Sequence, residues 1–107
     1  MKDFQIIYRI LKILQKSMDL EEFDKENLSA EQLRLSEPHW CRLMTILVNE
    51  GFITGVEVWN SFDCTYPKVL LVRPEITLKG LEYLEENSTM KKMANIAKGI
   101  KDVIPGV

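Results

Sequence analysis

Two serines, Ser29 and Ser36, constrain this chain more than any other feature. Ser29-Ala30-Glu31-Gln32 reads as a capping box, a serine followed three positions later by a glutamine. It opens a short helix that reaches about Arg34, and Leu35-Ser36 is left to make the turn. Ser36-Glu37-Pro38 then starts a second helix. Ser36 caps it, Glu37 lies at the positive end of the dipole, and Pro38 falls in the first turn, where its missing N–H is harmless. This helix runs to Glu50 and stops at Gly51, the residue type that most easily takes a left-handed backbone. Its buried side is expected to be Trp40, Leu43 and Leu47, with Phe52 just past the end. A short helix, a tight turn and a longer helix make a helix-turn-helix.

The downstream elements narrow the fold further. Phe52 to Trp59 alternates loosely and is β-rich, Asn60 to Pro67 has turn chemistry, and Lys68 to Arg73 carries Val69-Leu70-Leu71-Val72. The pair predicts a β-hairpin with a loop of about eight residues. Thr77 caps the next helix, Leu78 to Glu86, expected to bury Leu78, Leu81 and Leu84 with Tyr83 nearby. Upstream, Phe4 to Met18 predicts an amphipathic helix whose stripe is Phe4, Ile7, Leu11, Leu14 and Met18, with Ile10 beside it and Asp3 as cap. Asp19 to Glu31 is an acidic connector, six carboxylates against Lys25, with a brief strand expected near Asn27-Leu28. The expected fold class is α+β: a winged helix-turn-helix with a three-helix core, a β-hairpin wing and additional C-terminal helices.

One domain is expected over residues 1–87, since 107 residues hold a single core. After the Asn87-Ser88 break, residues 88–107 predict a C-terminal amphipathic helix running to about Val103. Its stripe is Met93, Ile96, Ala97, Ile100, Val103 and Ile104, and Lys91, Lys92, Lys98 and Lys101 flank it. Packing on the domain or pairing with a dimer partner is the expected role. Membrane or nucleic-acid backbone contact is the alternative, and the stripe has no Trp or Phe to anchor it in a membrane.

Several function classes are disfavoured. No apolar run approaches the ~20 residues of a membrane span, and Met1 to Tyr8 lacks a secretory core, so a cytoplasmic location is expected. Cys41 and Cys64 form no CxxC or Cys/His ligand set with the single His39, so no metal and no cofactor are expected. No glycine-rich phosphate loop, GxSxG elbow or Cys/His dyad is present. The expectation is a protein that is not an enzyme and takes no small-molecule substrate.

The segment SEPHWCRLMTILVNEGFI, from Ser36 to Ile53, followed by a hairpin and ITLKGLEYLEEN, resembles the winged-helix pattern of the MarR/PadR-like superfamily. Over nearly the whole chain, ITLKGLEYLEENS (Ile76 to Ser88) and the Lys-, Met- and Ala-containing tail from Met90 to Gly99 resemble the YjcQ-like family of small bacterial and prophage proteins. That resemblance implies a winged-helix fold and a mobile-element setting, and carries no established activity. The superfamily resemblance implies groove-facing positions at Ser36, His39 and Arg42. The neighbouring slots hold Glu37, Thr45, Ile46 and Val48, where DNA-binding members commonly carry basic or polar residues.

Two functions follow. A DNA-binding regulator of phage type, dimeric through its terminal helices, would contact double-stranded DNA through Ser36, His39, Arg42, Lys68 and Arg73, with Met93, Ile96, Ala97, Ile100 and Ile104 as the dimer helix. Arg42 has the fork geometry for guanine. Against it, the net charge is −2, and Glu37 to Arg73 holds three cations to four acids. The alternative is a protein-interaction module that kept the fold and lost DNA reading. It is motivated by that acidic balance and by the apolar outer side of the second helix, where Cys41, Thr45 and Val48 fall together with Met44 and Ile46 close by.

Overall fold

The structure is a computed structural model that describes residues 2–88. Its elements follow the chain as α1 (Lys2–Ser17), a 3-10 turn (Lys25–Leu28), α2 (Ala30–Leu33), α3 (Glu37–Asn49), β1 (Ile53–Trp59), β2 (Lys68–Ile76) and α4 (Leu78–Glu86). Among the described residues this is a mixed α+β fold of four α-helices and one antiparallel hairpin, an order compatible with a winged helix. The expected C-terminal helix over 88–103 lies almost wholly outside the described residues, as do its stripe residues Met93, Ile96, Ala97, Ile100 and Ile104.

Both serine caps form. The Ser29 hydroxyl accepts the Gln32 backbone N–H at 3.2 Å, and the Ser36 hydroxyl accepts that of His39 at 3.3 Å. The turn between them begins one residue earlier than expected, at Arg34, whose backbone is left-handed at φ 59°. Arg34 and Leu35 close it by donating backbone N–H bonds to Glu31 and Ala30 at 3.1 and 2.9 Å. Gly51 ends α3 at φ 80°.

The core lies between α1, α3 and the base of the hairpin. Ile10, Leu11, Leu14, Leu28, Met44 and Leu47 are its fully buried side chains. Trp40 is buried too, and its indole N–H donates to the Leu28 carbonyl at 2.8 Å, pinning the connector onto α3. Two expected stripes shift. On α1 the buried face is Ile6, Ile7, Ile10, Leu11 and Leu14, while Phe4 and Met18 are exposed at its two ends. On α4 Leu84 is buried and Leu81 packs against the core, but Leu78 is exposed, because the first turn sets Gly80 and not Leu78 against the body.

The brief strand expected near Asn27-Leu28 is instead the 3-10 turn, started by the Asp24 side chain accepting the Glu26 N–H at 3.0 Å. Lys25 still ties this segment to the hairpin: its Nζ donates to the Leu71 carbonyl at 3.2 Å.

The hairpin is longer than expected, since β2 continues past Arg73 to Ile76. Thr54 pairs with Glu75 and Val56 with Leu71, so Gly55 alone faces three residues of β2, Val72 to Pro74. Pro74 sits inside this bulge, where no ladder N–H is required of it. Gly55 has φ 76°, and a Cβ there would stand 1.8 Å from the Arg73 carbonyl oxygen.

The Ile76-to-Gly80 phrase is the joint that closes the fold. Thr77 N–H donates to the Phe52 carbonyl at 3.1 Å, its hydroxyl donates to the Gly51 carbonyl, and its oxygen accepts the Gly80 N–H at 3.1 Å. Gly80 is small because α4 presses against the base of the hairpin: a Cβ would lie 2.5 Å from the Phe52 carbonyl oxygen, just before β1, and 2.6 Å from the Ile76 side chain of β2.

Candidate nucleic-acid interface

Ser36, His39 and Arg42 are brought to the N-terminal half of α3, as a recognition helix would place them, but two of the three are engaged within the molecule. The Ser36 hydroxyl is the α3 cap. His39 turns to α1, its Nε2 lying 2.9 Å from Asp3 Oδ1, so its ring ties the starts of two helices 36 positions apart in sequence. Arg42 is exposed, with its guanidinium carbon 5.9 Å from the centre of the Tyr66 ring.

Lys68 joins this cluster and Arg73 does not. The Lys68 ammonium lies 3.9 Å from Asp63 Oδ2 and is one of the charges felt by Cys41 on α3. Arg73 stands five residues along the strand from Lys68, roughly 17 Å at strand rise, and lines a groove against the end of α1 instead. The five candidate residues therefore form no continuous basic strip. From Lys2 to Ser88 there are ten lysines and arginines against fifteen aspartates and glutamates, a net charge of −5. A duplex docking on α3 would meet an acidic body on which Arg42 is the one arginine of that helix, and the electrostatic attraction that dominates DNA affinity is weak there.

The return limb of the hairpin loop explains another departure from expectation. Cys41, assigned from the sequence to the outer side of α3, is only 2% exposed. Burial and the charge of Glu37 push its thiol up to about 11 from an ordinary 9.0, and its Sγ donates to Glu37 Oε2 at 3.7 Å. Cys64 also adds to that shift, and the Tyr66 hydroxyl is raised first by its hydrogen bond to Cys64. Both cysteines are free thiols. Val48 packs against the core and the Thr45 hydroxyl donates to the Cys41 carbonyl at 2.7 Å, so Ile46 is the large apolar side chain that α3 leaves exposed.

The exposed apolar surface lies on the hairpin instead. Val56 and Val58 pair with Leu71 and Val69 on the half-buried side. The opposite side carries Glu57 with Leu70 and Trp59 with Lys68; Leu70 is 51% and Trp59 46% exposed. Phe62 at the loop tip is fully exposed. The tip is held by local polar ties: Ser61 to Asp63, the Cys64 N–H to the Ser61 carbonyl at 3.3 Å, and Lys68 to Asp63. The Ser61 hydroxyl and then the Lys68 charge lower the Asp63 carboxyl below its usual range. The loose alternation of Phe52 to Trp59 left the side of Trp59 unassigned, and Val69 to Val72 is apolar on both faces and hides which side is wet.

Among the described residues no group of three or more His, Cys, Asp or Glu is placed to hold a metal ion, and no helix is long and apolar enough to cross a membrane.

No solved structure matches the chain. A curated relative from Bacillus subtilis (strain 168), described as "Uncharacterized protein YjcQ", is 34% identical over 77 residues, spanning 72% of this chain and 78% of the relative. The family described as "YjcQ protein" matches residues 8–103. With its cap serines, its hairpin and its Thr77–Gly80 joint inside that span, this chain belongs to the YjcQ protein family.

Proposed function

We infer that this protein is a non-catalytic interaction module of winged-helix build, acting in the cytoplasm, that holds a protein partner on the outer face of its hairpin. The observation that carries this reading is the outward display of Trp59, Leu70 and Phe62 on an acidic body. Large aromatics presented from a fixed strand are the side chains that dominate protein interfaces. The internal engagement of Ser36 and His39 supports the same reading, because it occupies two of the candidate groove contacts. The mobile-element setting implied by the family resemblance makes a phage or host adaptor the natural role.

Capture from host lysate, with and without nuclease, tests it. The full chain retains a protein partner in both lanes, and Trp59→Ser with Phe62→Ser loses it while Arg42→Ala does not. Capture that disappears with nuclease sinks the reading.

DNA regulation is kept as a second reading on one observation: Arg42 is exposed and braced on Tyr66 beside Lys68. Retention on generic duplex DNA that falls with salt and is abolished by Arg42→Ala is its expected signature.

A further inference from the structure

A groove of about 560 Å³ runs between the end of α1, the acidic connector and the last residues of β2. Met18, Leu20 and Val72 line it and are 62%, 60% and 50% exposed, an apolar floor left open to water. Its rim is charged, with Glu21, Glu22 and Glu75 against Lys25 and Arg73, and Lys25 is already bonded to the Leu71 carbonyl. Along the connector, Asp19, Glu21, Glu22, Asp24 and Glu26 follow one another with only Lys25 among them. The ion pairs among the described residues are His39–Asp3 and Lys68–Asp63, so these five carboxylates meet no cation there.

The complementary charge lies in the same polypeptide. Residues 89–107 hold four lysines against Asp102, a net +3, together with Met90, Met93, Ile96 and Ile100. The described body is thus acidic with an open apolar groove, and the remaining segment is basic and apolar.

Reach also fits. Ile76 lines the groove and α4 covers Leu78–Glu86, so with two residues on either side Ser88 lies no more than roughly 26 Å away. About eight extended residues cover that distance at ~3.3 Å each, and nineteen are available.

We propose that the groove between α1, the connector and β2 is the docking site of this chain's own segment 89–107. The apolar side chains of the segment cover Met18, Leu20 and Val72, and its lysines neutralise the connector. The site is separate from the outer hairpin face and from Arg42, so it holds whichever partner the hairpin takes.

Zero-length carbodiimide cross-linking of the full chain, on an equal mixture of ¹⁴N- and ¹⁵N-labelled protein, tests the proposal. Links from Lys91, Lys92, Lys98 or Lys101 to Glu21, Glu22, Glu26 or Glu75 within single-isotope chains are expected. Mixed-isotope links, which would place the segment on a second copy, overturn it, as do links directed to the hairpin or no links to the connector. Amide exchange supplies an independent readout. Full-length Ile96→Asp with Ile100→Asp loses protection in the connector and at Val72–Glu75. Glu21→Lys with Glu22→Lys does the same, and Lys91→Glu with Lys92→Glu restores it in the second case. Unchanged exchange in both variants overturns the proposal.

Discussion

The two ends of the hairpin are built on opposite terms. At its base, Ile53 and Ile76 pair at 3% and 9% exposure, Gly55 lies against the Arg73 carbonyl, and Thr77 and Gly80 close on Gly51 and Phe52. At its tip, Trp59 and Phe62 stand in water and the chain is held by short polar ties between neighbours. The base is fixed by backbone pressed on backbone, where no side chain can be added. The tip is fixed by its own turn and leaves its large side chains unused for stability.

Gly55→Ala is the most severe attack on the base. It combines a left-handed backbone with a Cβ 1.8 Å from a carbonyl oxygen, and we expect a loss of about 2–4 kcal/mol from strain and overpacking together. An unaltered thermal melt would mean the base yields as easily as the tip. Gly80→Ala comes next, at about 1–3 kcal/mol, because the Phe52 carbonyl 2.5 Å from the new Cβ is backbone and cannot swing away. Chemical denaturation would read that difference, and a neutral result would break the contrast at its other contact.

Between base and tip, Cys41 reports whether the return limb stays on α3. A thiol that ionises near 11 when folded and near 9.0 when unfolded favours the folded state fully below pH 9. That contribution is lost as pH rises from 9 to 11, since the unfolded chain sheds its proton first. Below that window the folded thiolate fraction is about a hundredfold lower than for an ordinary cysteine, so iodoacetamide should label Cys41 slowly. Fast labelling would show that the limb lifts away. The smallest expected effect is at the tip, where Trp59→Ser and Phe62→Ser shift stability by no more than about 0.5 kcal/mol each. A larger loss would place these side chains in the core's service and remove them as a docking face.

Most of the backbone plan was legible in the sequence because its signals are local. Ser29, Ser36, Gly51 and Thr77 act on neighbours within a turn, and each marks an element boundary where expected. The second strand was expected to stop at Arg73, whereas the bulge opposite Gly55 takes up Pro74 and lets β2 continue to Ile76. Asn27-Leu28 was misplaced because Asp24 can cap a 3-10 turn as readily as it can precede a strand. The candidate site was less legible, since its contacts are distant. Nothing local to His39 announces Asp3, and nothing in Cys41 announces that the chain near Cys64 and Tyr66 returns to cover it. The acidic balance around Arg42 and Lys68 is countable in the sequence, but that Arg73 stands apart from both, in the groove by α1, is a property of the folded chain.

The bond from Lys25 to Leu71 has a further effect. A ribbon of two strands invites a neighbour to extend it, and identical copies are the neighbours always at hand. A copy laying itself along β2 at Leu71 must first displace the Lys25 ammonium from that carbonyl. One lysine side chain thus occupies a pairing position on that edge of the ribbon.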